Sequence, residues 1–250
     1  MHPLNFDISF DKVNFKYDDT GIQALKNVSF TLESGKTLAV MGPTGSGKTT
    51  LLQLLSKTYL PHSGKVSLGD FSLQDYAQKD IREIMGVVPQ QPFLFSDTIA
   101  HNIRFGKPDA TEQEIEKAAK QAAVHKNIVE FTAGYETMLG ERGITLSGGQ
   151  KQRVSIARAL IKNPKILLLD DCLSAVDTET EEAILNALKK NNKDTSTIIV
   201  CHRVSSAKNA DYILILKDGE IVQYGTHKDL VSQAGYYKEL YEEQRIEEEI

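Results

Sequence analysis

Gly42-Pro43-Thr44-Gly45-Ser46-Gly47-Lys48-Thr49 decides the reading of this chain. The spacing is that of G-x-x-x-x-G-K-[S/T], and the flanks are those a phosphate-binding loop needs. Thr37-Leu38-Ala39-Val40-Met41 predicts a buried strand before it, and Thr49 and Thr50 open a predicted helix that runs to Leu55. Glycines let the backbone fold tightly around phosphate oxygens, and the helix N-terminus aims unpaired N–H groups at the anion. In such a loop Lys48 reaches the β- and γ-phosphates and Thr49 binds Mg²⁺.

Two further stretches narrow the chemistry. Ile166-Leu167-Leu168-Leu169-Asp170 is an apolar run ending in a carboxylate, the form in which a buried strand holds an Asp near Mg²⁺. Leu146-Ser147-Gly148-Gly149-Gln150 opens a helical pattern through Val154, Ile156, Ala157, Ala159 and Leu160. That is a second helix N-terminus suited to an anion, and it makes sense if it reaches a nucleotide held by another subunit.

Around these motifs the periodicity is that of an α/β chain. Ile8, Phe10, Val13, Phe15 and Tyr17 alternate as in an antiparallel strand, with Val28 to Leu32 as its partner. Lys65 to Leu68, between Gly64 and Gly69 as turn signals, and Ile84 to Val88 are further strand-like runs. From Thr111 the period turns helical: Thr111-x-x-Glu114 is a capping box, Ile115, Ala118, Ala119 and Ala122 share one face, and a second helix covers Ala123 to Phe131. Lys165 to Leu169 and Thr197 to Cys201 read as strands, and Thr178 to Lys190 as a helix. Asp218-Gly219 between Tyr212–Leu216 and Ile221–Tyr224 signals a hairpin. The end, Thr226 to Ile250, reads as helical with a solvated acidic tail.

The chain of 250 residues carries a formal net charge of −5 and is 40% hydrophobic, enough for one large domain with a sizeable core. The acidic balance argues against a broad grip on nucleic acid. No apolar run approaches the roughly 18 residues that cross a bilayer, and Met1 to Asn5 lack a secretory pattern. Cys172 and Cys201 follow strand-like runs and read as reduced thiols of a cytosolic core.

The motifs together resemble the nucleotide-binding domain of an ATP-binding cassette transporter, from about Phe6 to Gln244, with Leu146 to Gln150 as the family's signature motif. The resemblance implies a P-loop NTPase (RecA-like) α/β core, an antiparallel β subdomain and an inserted α-helical subdomain. One domain would fill residues 1–250, with the core at about 1–90 and 165–250 and the helical part at about 91–164. ATP and Mg²⁺ are the implied ligands. Tyr17 matches the aromatic that stacks on adenine, Gln90 the glutamine that coordinates Mg²⁺, and His202 the switch histidine that senses the γ-phosphate. Ser174 and Asp177 fall in the D-loop; Thr49, Gln90 and Asp170 form the metal set.

Thr137 to Gly143, with Glu141 and Arg142, resembles the x-loop of exporters, and Phe93 to Ile103 is likewise similar to exporter domains. The expected partners are a second nucleotide-binding domain and a transmembrane domain carried upstream of Met1, at the cytoplasmic face of the membrane. One residue departs from the pattern: the carboxylate after Asp170 is Asp171, where the family usually has Glu. The shorter side chain withdraws the carboxylate by roughly 1–1.5 Å, and a ~1 Å displacement can cost ~10²-fold in rate. The expectation is a slow site, as in one half of a heterodimeric exporter. A nucleotide-gated binding module with negligible hydrolysis, and a soluble cassette ATPase unconnected with transport, are the alternatives.

Overall fold

The apolar alternation at Ile8, Phe10, Val13 and Phe15 slips by one residue after Phe10, yet all four side chains are buried. In the computed structural model, which describes residues 5–140, 146–191 and 194–248, a β-bulge resets the phase. Lys12 adopts a left-handed φ of 49°, and the pairing register shifts between Phe10 and Val13.

The elements follow in chain order. β1 (Ile8–Lys16), β2 (Gln23–Leu32), β3 (Thr37–Met41), α1 (Lys48–Leu55), β4 (Ser63–Leu68), β5 (Phe71–Ser72) and α2 (Gln78–Ile84) come first. Then come β6 (Met85–Val88), α3 (Ile99–Arg104), α4 (Glu112–Gln121), α5 (His125–Glu130), α6 (Gly148–Leu160), β7 (Ile166–Asp170) and α7 (Thr178–Asn191). The chain closes with β8 (Ser196–Val200), α8 (Val204–Ala207), β9 (Tyr212–Lys217), β10 (Glu220–Gly225), α9 (His227–Ser232) and α10 (Tyr236–Glu248). It divides into two units, Met1–Met85 with Asp194–Ile250, and Gly86–Lys193.

In the first unit β2, β1, β4 and β5 form an antiparallel sheet in that order. A second sheet places β3 between β8 and β9, parallel to both, with β10 antiparallel at the edge beyond β9. β3 is therefore flanked on both sides, which suits its unbroken apolar run. α1 touches both β2 and β8 and buries Leu51, Leu54 and Leu55. The hairpin at Asp218-Gly219 turns with both residues at positive φ, 52° and 83°, as a two-residue type I′ turn requires. This is a P-loop NTPase α/β fold with an antiparallel sheet and a helical subdomain.

Several expectations need correction. Gly64 is not a turn but lies inside β4 at φ 82°, close against Lys12 O. Ile84 ends α2 instead of starting a strand. The helix expected from Ala123 begins at His125, because Ala123 takes a left-handed φ of 52°. The C-terminal stretch is two helices, broken at Gln233 to Gly235, and its second helix is anchored: Tyr237 is fully buried.

The second unit is layered around α6, which packs on α3 and α4 and buries Val154, Ile156, Ala157 and Leu160. β7 lies beside β6. The capping box at Thr111 and Glu114 forms as expected, and Ile115, Ala118, Ala119 and Ala122 are buried. One polar network binds α6 to α3. Asn102 is completely buried; its Oδ1 accepts from Phe95 N (2.8 Å), and its Nδ2 donates to the carbonyls of Phe95 and Thr98 (both 3.0 Å). Arg158 of α6 donates to Asn102 O (2.8 Å), Asn102 Oδ1 (2.8 Å) and Phe93 O (2.7 Å). Its guanidinium stands over the rings of Phe95 and Phe105, and burial pushes its pKa down to about 10.

Arg158→Ala removes the side-chain donor of the buried Asn102 carbonyl and the packing of the guanidinium on Phe95 and Phe105, so it is expected to lower the unfolding free energy by about 3 kcal/mol. Arg158→Lys should lose nearly as much, because an ammonium cannot reproduce the planar fork. Urea titration of the two variants against the native protein checks both.

Candidate functional site

The loop Gly42 to Gly47 links β3 to α1, and its path is open only to glycine at its two ends. A Cβ on Gly42 (φ 138°) would stand 1.9 Å from Leu216 O, and one on Gly47 (φ 103°) 2.5 Å from Ala24 O. Pro43, Thr44 and Gly45 are exposed at the tip. The ammonium of Lys48 is turned into the loop and donates to the carbonyls of Gly42 and Pro43, both at 2.8 Å. Thr49 is exposed and Thr50 buried.

Three features show that this loop fits a phosphate. Gly47 caps α1 without a side chain, and the first turn contains no acid, so the positive end of the helix is unopposed. Ser46 Oγ is buried and, among the described residues, has no hydrogen-bond partner. A buried hydroxyl left unpaired costs about 1–3 kcal/mol, which an oxyanion would relieve. Lys48 is held ready at the loop's centre.

In the same unit Tyr17 follows β1. Its hydroxyl is bonded to Thr50 Oγ1 (2.9 Å) and donates to Gln53 Oε1 (3.0 Å), while Phe15 and Tyr59 meet its ring edge-on. The expected adenine platform is thus tied to α1, the helix that the phosphate loop opens. Gln53 and Tyr59 belong to no motif in the sequence; the one-turn spacing of Thr50 and Gln53 on α1 is the signal for the first. His202 is exposed just after β8.

In the second unit Asp170 is buried at the end of β7. Asp171 follows in a left-handed conformation, φ 44°. Gln90, just past β6, donates from Nε2 to Asp171 Oδ2 at 3.1 Å, so the expected metal-binding amide and the expected base are in contact. Ser174 Oγ donates to Asp171 O at 2.9 Å. Asp177 caps α7 by accepting from Thr180 N at 2.9 Å, and that bond, with one from the Thr180 hydroxyl, holds its carboxyl below the usual range. Cys172 is buried and free, and burial pushes its thiol pKa up.

The signature stretch opens α6. Leu146 is buried. Ser147 and Gln150 form a complete capping box: Ser147 N donates to Gln150 Oε1 (2.9 Å), and Gln150 N to Ser147 Oγ (3.3 Å). Gly148 and Gly149 form the first helical positions, against Ala175 of the D-loop. Arg153, which the sequence analysis did not single out, ties this end down by donating to Gly149 O (3.3 Å), Ala123 O (2.6 Å) and Asn127 Oδ1 (3.0 Å). Its position one turn beyond Gly149 was the available signal. Glu141 and Arg142 lie outside the described residues.

The chain is similar to known proteins over most of its length. The sequence model of the family described as ABC transporter matches residues 25–174. The uncharacterized ABC transporter ATP-binding protein YknU of Bacillus subtilis (strain 168) is 48% identical over 239 residues, covering 96% of this chain and 41% of that protein. The multidrug resistance-like ATP-binding protein MdlA of Buchnera aphidicola subsp. Schizaphis graminum (strain Sg) is 48% identical over 248 residues, 99% of this chain and 42% of that one. A solved structure of a bacterial Atm1-family ABC exporter with ATP bound superposes with a TM-score of 0.93 at 39% identity, over 98% of this chain and 42% of that chain. The chain thus spans about two-fifths of the length of these relatives.

Gly47→Ala would force a Cβ onto Ala24 O and shift the loop. It is expected to weaken binding of a nucleoside triphosphate by about 100-fold, read by titration with a fluorescent nucleotide.

Proposed function

The chain belongs to the ABC transporter family, and we propose that it is the nucleotide-binding domain of an exporter, an ATPase motor domain that closes head to tail on a second such domain around MgATP, with a slow site of its own. The observation that carries this reading is the loop Gly42 to Thr49, with its unopposed helix N-terminus, orphan Ser46 hydroxyl and inward-turned Lys48. A second capped helix N-terminus at Ser147 to Gln150 on the same chain supports the head-to-tail pairing.

The roles follow residue by residue. The face of Tyr17, its hydroxyl already anchored, takes the adenine. Gly42 to Thr50 wrap the triphosphate, and Lys48 exchanges its two carbonyl partners for β- and γ-phosphate oxygens. Thr49, Gln90 and Asp170 would hold Mg²⁺, which neutralises charge on the phosphates. Asp171 orients the attacking water and accepts its proton as the oxygen bonds to the γ-phosphorus and the bond to the β-phosphate oxygen breaks, releasing ADP and phosphate. His202 donates to the γ-phosphate. Ser147, Gly148 and Gly149 contact the nucleotide of the partner domain, with Leu146 and Gln150 holding the turn, and Ser174 and Asp177 shape the loop beside them. Closure would drive membrane helices on other segments, coupled through Gln90 and the loop at Glu141 and Arg142. One ATPase domain over residues 1–250, with its helical part at about 91–164, located at the cytoplasmic membrane face, belongs to the same reading.

Asp171 makes the site slow by its short reach. A partner chain with Glu at the matching position and an altered signature motif would complete a heterodimer, in which this chain's intact signature serves the faster site. The Gln90–Asp171 bond also favours a second reading, a domain that holds ATP to keep the pair closed while its partner turns over.

The test is steady-state MgATP turnover across protein concentration for the native chain and Asp171→Glu, with Lys48→Ala as blank. Glu is expected to raise turnover about tenfold, ~1.4 kcal/mol of barrier. The same change should lower folding stability by about 1 kcal/mol, because Asp tolerates the left-handed φ of 44° better than Glu. A native rate equal to that of the Glu variant and rising steeply with concentration would replace the slow site with a symmetric, competent homodimer.

A further inference from the structure

The loop that carries His202 is held from outside by one side chain. β8 ends at Val200, Cys201 is buried, His202 is exposed, and α8 begins at Val204. Gln244 of α10 donates from Nε2 to His202 O at 3.0 Å and accepts at Oε1 from Val204 N at 2.8 Å. The two bonds fix the amide's orientation, since the reversed group would set donor against donor and acceptor against acceptor. The second bond also does a cap's work. Arg203, the N-cap of α8, makes no side-chain cap bond, and Gln244 takes up the N–H of the first helical residue in its place.

α10 is anchored so that it can do this. Tyr237 lies seven residues before Gln244, two helical turns away on the same face. It is fully buried near Cys201; its hydroxyl bonds His227 Nδ1 at 2.7 Å, and its backbone N donates to Gln223 Oε1 of β10 at 3.0 Å. One end of the helix is therefore pinned to β10 and the end of β8, and the next two turns bring Gln244 to the loop.

We propose that Gln244 is a positioning residue for His202: by gripping the carbonyl of His202 and the amide of Val204 it sets the backbone from which the imidazole reaches the γ-phosphate. This rests on the γ-phosphate role given to His202 above. The gripped atoms belong to the two peptide units on either side of Arg203 Cα, so the clamp fixes φ and ψ of Arg203 and, through the held carbonyl, the peptide plane that follows His202 Cα. Without it the peptide plane after His202 could turn and carry the exposed imidazole away by about an ångström, and ~1 Å at a reacting group can cost up to ~10²-fold. Ground-state affinity changes little, because Tyr17 and the loop Gly42 to Thr50 supply the adenine contact and most of the phosphate contacts.

The experiment compares MgATP turnover, nucleotide affinity and amide exchange in the native protein, Gln244→Ala, Gln244→Glu, His202→Ala and the double variant His202→Ala/Gln244→Ala. Gln244→Ala is expected to lower kcat about tenfold, with nucleotide Kd within about twofold of native. Exchange at the Val204 amide should rise about tenfold or more. Gln244→Glu keeps the acceptor for Val204 N and should recover part of the rate, and the double variant should be no slower than His202→Ala. A slow His202→Ala beside a native-like Gln244→Ala, or losses that add in the double variant, overturns the positioning role and leaves the His202 reading standing. A native rate in His202→Ala removes that reading and the proposal with it. If Gln244→Ala melts far below the native protein, Gln244→Met, of similar length, takes its place in the same comparison.

Discussion

A polyanion has to be held by backbone, and the rest of the first unit is arranged around that requirement. The amides of a short turn can converge on phosphate oxygens only where side chains are out of the way, and here the neighbours are themselves backbone. Leu216 O of β9 stands where a Cβ of Gly42 would be, and Ala24 O of β2 where one of Gly47 would be. The loop is thus wedged between a strand of each sheet of that unit, and β3, flanked by β8 and β9, fixes its entry. Rigidity of this kind lets the protein keep Ser46 Oγ buried and unpaired and the end of α1 without a cap. A looser loop would relax to satisfy both from within and would then compete with the ligand for the same groups.

The second unit meets a related demand by other means. Its helix N-terminus is capped by Ser147 and Gln150, which satisfies the third-position amide while Ser147 and Gly148 stay exposed and Gly149 packs on Ala175 O. What holds α6 in place is a pair of desolvated cations. Arg153 ties the first turn to Ala123 and Asn127, and Arg158 ties the last turn to Phe93 and Asn102. Burial lowers the pKa of both, yet Arg158, at about 10, stays charged at neutral pH. Their hydrogen-bond partners are backbone carbonyls and amide side chains, and the Asp177 carboxylate acts on Arg153 through charge alone.

What could be read in the sequence was what local chemistry alone determines. The glycine pattern at Gly42 to Thr49, the capping box at Thr111 and Glu114, the turn at Asp218-Gly219 and the buried run before Asp170 each need only neighbours in the chain, and each formed. The bulge at Lys12 was visible only as an odd spacing, because what closes it is a partner strand, with Gly64 of β4 pressed against it. Arg158, Gln53 and Gln244 are ordinary polar residues at ordinary helical positions. Their importance comes from hydrogen-bond partners on distant segments, the acceptors Phe93 O and His202 O and the donor Tyr17 hydroxyl, which no local pattern announces. In α10 Glu242 and Glu243 are exposed, as the acidic pattern suggests, whereas Tyr237 is buried and Gln244 half-buried.

Residue 171 shows how such constraints can oppose one another. Its backbone lies in the left-handed region, with its carbonyl held by the Ser174 hydroxyl, and Asp bears that conformation more easily than Glu. Its carboxylate reaches far enough to meet Gln90, and a Glu on the same backbone would carry its oxygens roughly 1–1.5 Å further out. The short side chain therefore suits its own φ and the contact it makes, while the water-activating role proposed for this position would favour the longer one. Such a position is expected where stability and turnover have been separated: a chain relieved of fast hydrolysis by a competent partner can keep the residue that folds better, whereas a chain that must hydrolyse alone would have to accept the strain.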